Sequence, residues 1–360
     1  MIASLQQKLS AVEWGEYKID DLFEKINTKK VKNLEGNLPA TTAIISNNQI
    51  GRYVNTEGCT ILENVFSATA NGFGKTFYQP HKFTVLQDSY AFRFKDPSIK
   101  IEKVHHFITT SLNRVYQKYD WTNKSGWAKV KNETILLPRR NGVIDFEFIE
   151  DFVTELESLN ITKIQTYLQT RGLDNYELNE EEIKALASFE SLEWGEYQIA
   201  ELFEKIATNK VQNKEGSLPA TTAIISNNQI GRYVNEEGCT ILENVFSATA
   251  NGFGKAFYQP HKFTVLQDSY AFRFKDSSIK IEKVHPFITA ALNKVYQKYD
   301  WSNKSGWEKI KKEYILLPTK NGQIDFEFIE TYILALEKLV VKDLVKFSHS
   351  KTTSSQNLSF

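Results

Sequence analysis

Cysteine is nearly absent: Cys59 and Cys239 are the only two in 360 residues. They occupy the same place in two copies of one repeated stretch, so they are poor disulfide partners and read as free thiols of a reducing cytoplasm. One cysteine per copy makes no metal centre, and the six histidines add none. His81 and His261 follow prolines, His105, His106 and His285 lie in a helical stretch, and His349 lies in the tail; no H-x-x-x-H or Cys–His spacing occurs. Long apolar runs are missing too, and the start MIASLQQKLSAVEW lacks the basic head and apolar centre of a signal peptide, so the expected location is cytoplasmic. There is no nucleophile elbow, dinucleotide loop or paired-carboxylate signature, so no catalysis and no cofactor are expected. TANGFGKT at Thr69–Thr76 approaches a phosphate-binding loop, but Thr69 stands where the first glycine belongs and Ala256 replaces the last threonine in the second copy. Asn-Gly-Phe-Gly reads instead as a positive-φ turn that presents Lys75 and Lys255.

Net charge is also missing, at zero, yet its distribution is uneven. Residues 14–148 carry +5, residues 149–193 carry −8 and residues 194–328 carry +2. Positive domains joined by an acidic connector permit a basic face in a neutral chain.

What is present is a duplication. Residues 38–107 return at 218–287 with an offset of 180, and only Thr56/Glu236, Thr76/Ala256, Pro97/Ser277 and His106/Pro286 differ. Each copy, at roughly 135 residues, is large enough for its own core. The expected class is α+β: two near-identical mixed α/β domains with β-rich cores, separated by long amphipathic helices forming an antiparallel coiled coil. The boundaries read as an N-terminal helix over 1–13, a first domain over 14–144, a helical connector over 145–193, a second domain over 194–324, and a C-terminal helix with a frayed tail over 325–360.

Within the first copy, short β-branched and aromatic runs predict strands at Thr41–Ser46, Gly51–Asn55, Thr60–Leu62, Val65–Ala68, Thr76–Tyr78, Phe83–Leu86 and Ser89–Phe94. Residues 101–119 read as a helix, and Thr134–Leu137 as a strand ending at Pro138. Ile149, Phe152, Val153, Leu156, Leu159, Ile164 and Leu168 follow helical spacing, as do Ile329, Tyr332, Ile333, Leu336, Leu339 and Val340. Helices of this length span roughly 35–39 Å at 1.5 Å per residue, and their stripes are expected to pair as a coil or dock partners.

The candidate binding residues lie in polar loops at matching places in both copies. Thr41, Asn47, Asn48, Gln49 and Arg52 surround one turn, Asn71 and Lys75 another; Gln79, His81 and Lys82 make a third group, and Lys118, Lys124 and Ser125 a fourth. Their counterparts are Thr221, Asn227, Asn228, Gln229, Arg232, Asn251, Lys255, Gln259, His261, Lys262, Lys298, Lys304 and Ser305. Asn and Gln can pair with the N6/N7 edge of adenine and Arg with the O6/N7 edge of guanine, although Asn-Asn-Gln is also ordinary turn chemistry. Trp121 and Trp127 are expected in the core rather than as stacking platforms. Lys29-Lys30 against Asn209-Lys210, and Arg139-Arg140 against Thr319-Lys320, suggest unequal phosphate affinity in the two halves.

Several motifs together carry a resemblance. W-x-x-Y-x-I-x-x-L-F-E opens each copy, LPATTAIISNNQIGRYV and FYQPHKF follow, and KYDW-x-NKSGW precedes ILLP. In this order, and duplicated, they resemble the DNA-specificity subunits of type I restriction–modification systems and their type IIB relatives. Asn47-Asn48-Gln49 departs from the family's Asn-Asn-Gly. The resemblance implies two target-recognition domains that bind double-stranded DNA, and a subunit without catalysis that leads methyltransferase subunits, one per half and in some systems restriction subunits also, to a bipartite site. Near-identical domains imply identical half-sequences and an interrupted palindrome. A duplicated protein-interaction scaffold is the alternative, and steep salt dependence of binding separates the two.

Overall fold

The computed structural model describes residues 2–29, 35–209 and 214–356. Two compact units divide the chain, residues 1–164 and 165–360, and the division falls inside a long helix. The first unit runs α1 (Ile2–Ala11), β1 (Glu13–Lys18), α2 (Ile19–Leu22), β2 (Phe23–Lys25), β3 (Glu35–Thr41), β4 (Ile50–Val54), β5 (Val65–Thr69), β6 (Thr76–Gln79), β7 (Thr84–Val85) and β8 (Ser89–Phe94). It continues with α3 (Ile101–Tyr116), α4 (Trp127–Val130), β9 (Thr134–Arg140), β10 (Val143–Ile144) and the long α5 (Phe146–Arg171), whose last residues enter the second unit.

A four-stranded antiparallel sheet, β2-β8-β5-β6, is the centre of this unit. Every residue of β5 is buried, and alternation sends its side chains to opposite faces. Phe66 and Ala68 join the main core with Ile101, Val104, Ile108 and Leu112 of α3. Phe23 stacks on Phe94 at 4.6 Å and meets Phe92 edge-on at 5.5 Å. Each fully buried ring contributes about 2 kcal/mol through its area, and such pairs add roughly 1 kcal/mol. Ser67 and Thr69, on the other face, are buried in a polar layer.

A small sheet, β4-β3-β7, has parallel β3–β7 pairing, and a third sheet is β1-β9-β10. In the third, Glu13 to Lys18 pair with Arg139 back to Thr134, so the beginning and end of the domain meet. This brings α5 beside α1, where Lys8 forms an ion pair with Glu155 and Leu5 is buried.

The second unit repeats the plan. It has α6 (Glu180–Ser188), β11 (Trp194–Gln198), α7 (Ile199–Leu202), β12 (Phe203–Lys205), β13 (Glu215–Thr221), β14 (Ile230–Val234), β15 (Val245–Thr249), β16 (Ala256–Gln259), β17 (Thr264–Val265) and β18 (Ser269–Phe274). Then come α8 (Ile281–Tyr296), α9 (Trp307–Ile310), β19 (Tyr314–Lys320), β20 (Gln323–Ile324) and α10 (Phe326–Gln356). α6 starts on a reciprocal cap: Asn179 accepts from the Glu182 backbone at 2.8 Å, and Glu182 accepts from the Asn179 backbone at 2.9 Å. It lies along α10, where Lys338 meets Glu182 at 2.8 Å with both side chains almost wholly buried. Phe189 stacks on Tyr332 at 4.8 Å in the same contact.

Four features differ from the sequence reading. The strand expected at Thr41–Ser46 instead occupies Glu35–Thr41. Pro39 stands opposite Tyr53 of β4 within this strand, and β7 pairs only with Ala40 and Thr41 beyond it. Thr60–Leu62 contributes only a bridge from Leu62 to Phe83. Ile149 and Ile329, placed on a coil seam, close the domain cores, while Leu156, Leu336, Leu339 and Val340 stay exposed. The tail expected to fray from Ser348 stays helical to Gln356; residues 357–360 lie outside the described residues. The hydroxyls of Ser348 and Ser350 donate back to Val345 and Phe347 carbonyls, so they are satisfied within the helix rather than ending it. Among the described residues, no helix is long and apolar enough to cross a membrane.

Candidate nucleic-acid interface

The turn between β3 and β4 has an uncommon backbone. Asn47, Asn48 and Gln49 have φ of 46°, 46° and 68°, three successive residues in the left-handed region without a glycine. Asn tolerates this better than most residues, but each such position costs roughly 1–2 kcal/mol. A buried polar network holds it. Gln49 has no exposed surface; its Nε2 donates to the Thr42 carbonyl at 2.9 Å, and its Oε1 accepts from Ser67 Oγ at 2.6 Å. Gln79 Nε2 donates to the Asn48 carbonyl at 2.7 Å and to Ser67 Oγ at 3.0 Å. Asn48 Nδ2 donates to the Tyr78 carbonyl at 3.0 Å and Gln79 Oε1 at 3.2 Å, and Asn47 Nδ2 to the Ile50 carbonyl at 2.9 Å. All of these bonds recur around Asn227, Asn228 and Gln229.

The candidate set therefore divides. Asn47, Asn48 and Arg52 are exposed at this turn, as are Asn227, Asn228 and Arg232. Gln49, Gln79, Gln229 and Gln259 are buried inside it and cannot reach a base. Thr41 and Thr221 are also buried, each hydroxyl 3.1 Å from the serine hydroxyl of Ser89 or Ser269. His81, Lys82, His261 and Lys262 are exposed.

The loop after β5 forms the expected positive-φ turn, with Gly72 at +86°. The Thr69 hydroxyl donates to the Phe73 carbonyl at 2.9 Å and accepts from the Lys75 amide at 3.0 Å. Lys75 is exposed, with Nζ 5.3 Å from the Phe77 ring centroid; Lys255, half-buried, takes the same place over Phe257. Asn71 and Asn251 are half-buried against Asp88 and Asp268. Ser125 and Ser305 are wholly buried and donate to the Thr69 and Thr249 carbonyls at 2.7 Å, a structural tie rather than a contact surface.

Trp127 packs on Phe92 at 5.5 Å as expected, but Trp121 and Trp301 do not enter the core: they are 60% and 62% exposed. The cause is a tight turn in which Asp120 accepts from the Thr122 and Asn123 amides at 2.7 and 2.8 Å, sending the adjacent ring outward. The Thr122 hydroxyl, donating to the same carboxylate at 2.7 Å, and then these amides hold the Asp120 carboxyl below its usual range. Lys124 and Lys304 are exposed beside it, whereas Lys118 and Lys298 are paired with Glu133 at 2.8 Å and Glu313 at 3.0 Å. Sequence reasoning also passed over Phe73 and Phe253, both 58% exposed. The signal was available, since an aromatic residue between turn glycines has no element to bury it.

Of the residues read as making the halves unequal, Arg140 is held by Asp145 through two bonds of 2.6 Å, and Arg139 lies 3.5 Å from Glu13. Lys30 and Lys210 lie outside the described residues. Each unit also has an apolar groove beside its long helix. One of about 410 Å³ is lined by Trp14, Phe107, Phe152 and Leu156; one of about 480 Å³ by Trp194, Phe287, Tyr332 and Leu336. Among the described residues, no group of His, Cys, Asp or Glu is arranged to hold a metal ion.

Two β-centred domains that display matching polar loops, each followed by a long helix, define a class of duplicated recognition proteins. The family model for the type I restriction modification DNA specificity domain matches residues 11–166 and again 191–346, and the chain belongs to that family. It is 24% identical over 348 residues to the specificity subunit S.BcgI of a type II restriction enzyme of Heyndrickxia coagulans, covering 92% of this chain and 96% of that protein. The S subunit of a type I restriction–modification system from M. genitalium has a similar fold, with a TM-score of 0.60 at 14% identity over 97% of this chain and 94% of that one.

Proposed function

We propose that the protein is a non-catalytic, sequence-specific DNA-binding subunit of a restriction–modification complex. It leads methyltransferase subunits, and restriction subunits where the system cleaves, to a bipartite site. The observation that carries this reading is the recurrence of one loop set in both matched copies: Asn47, Asn48, Arg52, Lys75, His81, Lys82 and Lys124 are exposed, and residues of the same kind stand 180 positions later. Amide and guanidinium groups can read base edges, while lysines hold phosphates. Domains with the same loops read the same half-sequence, so on opposite strands the whole site is an interrupted palindrome. The exposed apolar residues of the long helices, Leu156, Leu336, Leu339 and Val340, are suited to docking the partner subunits.

Co-expression with the companion methyltransferase, followed by mapping of methylated bases across host DNA, tests this. The expected outcome is a bipartite motif with inverted, identical halves. Different halves would refute the equivalence of the two domains, and absence of new methylation with an active, bound partner would refute the DNA-reading role.

A further inference from the structure

The strained Asn turn carries a consequence for which bases can be read. We propose that Gln49, Ser67 and Gln79, with Gln229, Ser247 and Gln259, are positioning residues that fix the Asn47-Asn48 and Asn227-Asn228 amides with their oxygens toward DNA, so that each domain reads an exocyclic amino group. The inference rests on the DNA-binding role proposed above.

The argument starts from hydrogen-bond polarity. An asparagine amide offers two N–H donors on one side and a carbonyl acceptor on the other, and a free one can turn either way. Here the orientation is set. Asn47 Nδ2 donates to the Ile50 carbonyl and Asn48 Nδ2 to the Tyr78 carbonyl, partners that only accept. Flipping either amide would put oxygen against oxygen. Asn48 is held further by Gln79 Oε1, and that oxygen is oriented because Gln79 Nε2 donates to the Asn48 carbonyl and to Ser67 Oγ. The Ser67 hydroxyl then has its proton committed to Gln49 Oε1 at 2.6 Å. Each member fixes the next, and the network ends on backbone at Thr42.

Both asparagines are exposed, their amide nitrogens are engaged inward, and no described residue donates to either Oδ1. What remains to face a ligand is a pair of acceptors, with one further N–H on Asn47, whose Nδ2 makes a single bond. In the major groove an acceptor is complementary to adenine N6 or cytosine N4 and is repelled by the O6 of guanine and the O4 of thymine. Adenine can still be read at Asn48, but through its amino group alone, because both N–H groups of that amide are already committed and a bidentate contact is no longer open. A left-handed run without glycine also explains Gln49 in place of the family's glycine: the longer residue supplies the internal bonds that hold the turn.

The test uses the full chain with its methyltransferase partner and short duplexes carrying the mapped site. Each adenine of a half-site is replaced in turn by purine, and each cytosine by 2-pyrimidinone, which lack the amino group. At least one replacement per half is expected to weaken specific binding roughly tenfold or more, and the replaced base tells adenine from cytosine. The Ser67→Ala/Ser247→Ala variant is then expected to lower the ratio of specific to non-specific affinity about tenfold, to leave non-specific binding and its salt slope as they were, and to remove most of the analogue penalty. A general weakening of structure would lower both affinities together, and that result would overturn the proposal. So would the absence of any amine-dependent position with the unmodified protein, a measurement that needs no variant to fold. If the unmodified assembly prefers no sequence at all, the DNA-reading role itself is wrong, and this inference falls with it.

Discussion

Gly74 shows how closely the loop after β5 is fitted to the helix behind it. A Cβ there would stand 2.1 Å from the Tyr116 backbone oxygen, which no side-chain rotation relieves. Gly74→Ala should therefore lose about 2 kcal/mol or more of stability in urea unfolding, within the range of overpacked sites. Gly126 is the control: nothing lies within 4 Å of its added Cβ, and its φ of −60° suits any residue. The entropy gained and the weaker helix start oppose each other, so Gly126→Ala should change stability by less than about 0.5 kcal/mol. His285, stacked on Tyr258 at 3.9 Å, has a pKa pushed down to about 4 by burial, with Arg171 adding to the effect and Glu282 opposing it. Between about 4 and the ordinary 6.5, the unfolded chain binds a proton that the native one refuses. Stability from this group is thus complete above 6.5 and is lost as pH falls through that window. His285→Gln should flatten the acid limb of unfolding midpoint against pH for the second unit; parallel limbs would show that other groups dominate.

Among the secondary-structure elements, the contact of α6 with α10 is the clearest case of a buried charge pair. Lys338→Met leaves Glu182 buried without its cation, a change of the kind that costs about 3–5 kcal/mol, while Lys338→Met/Glu182→Leu should recover most of that. Hydrogen exchange on Glu180–Ser188 would report it, fast in the single variant and slow in the double. This pair was not legible in the sequence, because its partners are 156 positions apart and only the packed helices bring them together. The helices themselves were legible from their apolar spacing, and β5, β6 and β8 from their β-branched and aromatic runs. β3 was not, since Pro39 interrupts its β pattern and its second partner, β7, pairs only with Ala40 and Thr41. At the candidate site, residue type located the turns but not which side chains face outward. Gln49 and Asn48 are neighbours of like chemistry, and only tertiary bonding makes one an internal strut and the other a surface group.

At the scale of the whole chain, the near-identity of the copies becomes an experimental control. Giving the first copy the residues of the second, Thr56→Glu, Thr76→Ala, Pro97→Ser and His106→Pro together, should leave the recognised half-sequence unchanged when methylated bases are mapped. None of the four belongs to the exposed loop set, and Thr76 is buried, its hydroxyl donating to the Ser67 carbonyl at 2.9 Å. A new half-sequence would mean that base choice is controlled from these positions rather than from the Asn turn.

The pairing of the domain's first strand, β1, with β9 near its end has a further consequence for how the chain reaches its native state. β5 and β6 are joined by a short turn, so a strand of the other copy, 180 residues away, competes poorly; loop closure favours the correct neighbour by roughly 2–3 kcal/mol. β1 and β9 have no such advantage. Their pairing already closes a loop of more than a hundred residues; β1 with β19 of the other copy costs only about 1 kcal/mol more, and β9 with β11, roughly fifty residues on, closes a shorter loop than the native one. Cross-copy pairing at this seam is the characteristic error open to a chain that carries the same strand twice. Synthesis from the N-terminus works against it, because the first β1 can find its own β9 before the second copy has left the ribosome. Refolding from denaturant, where both copies are present from the start, lacks that protection.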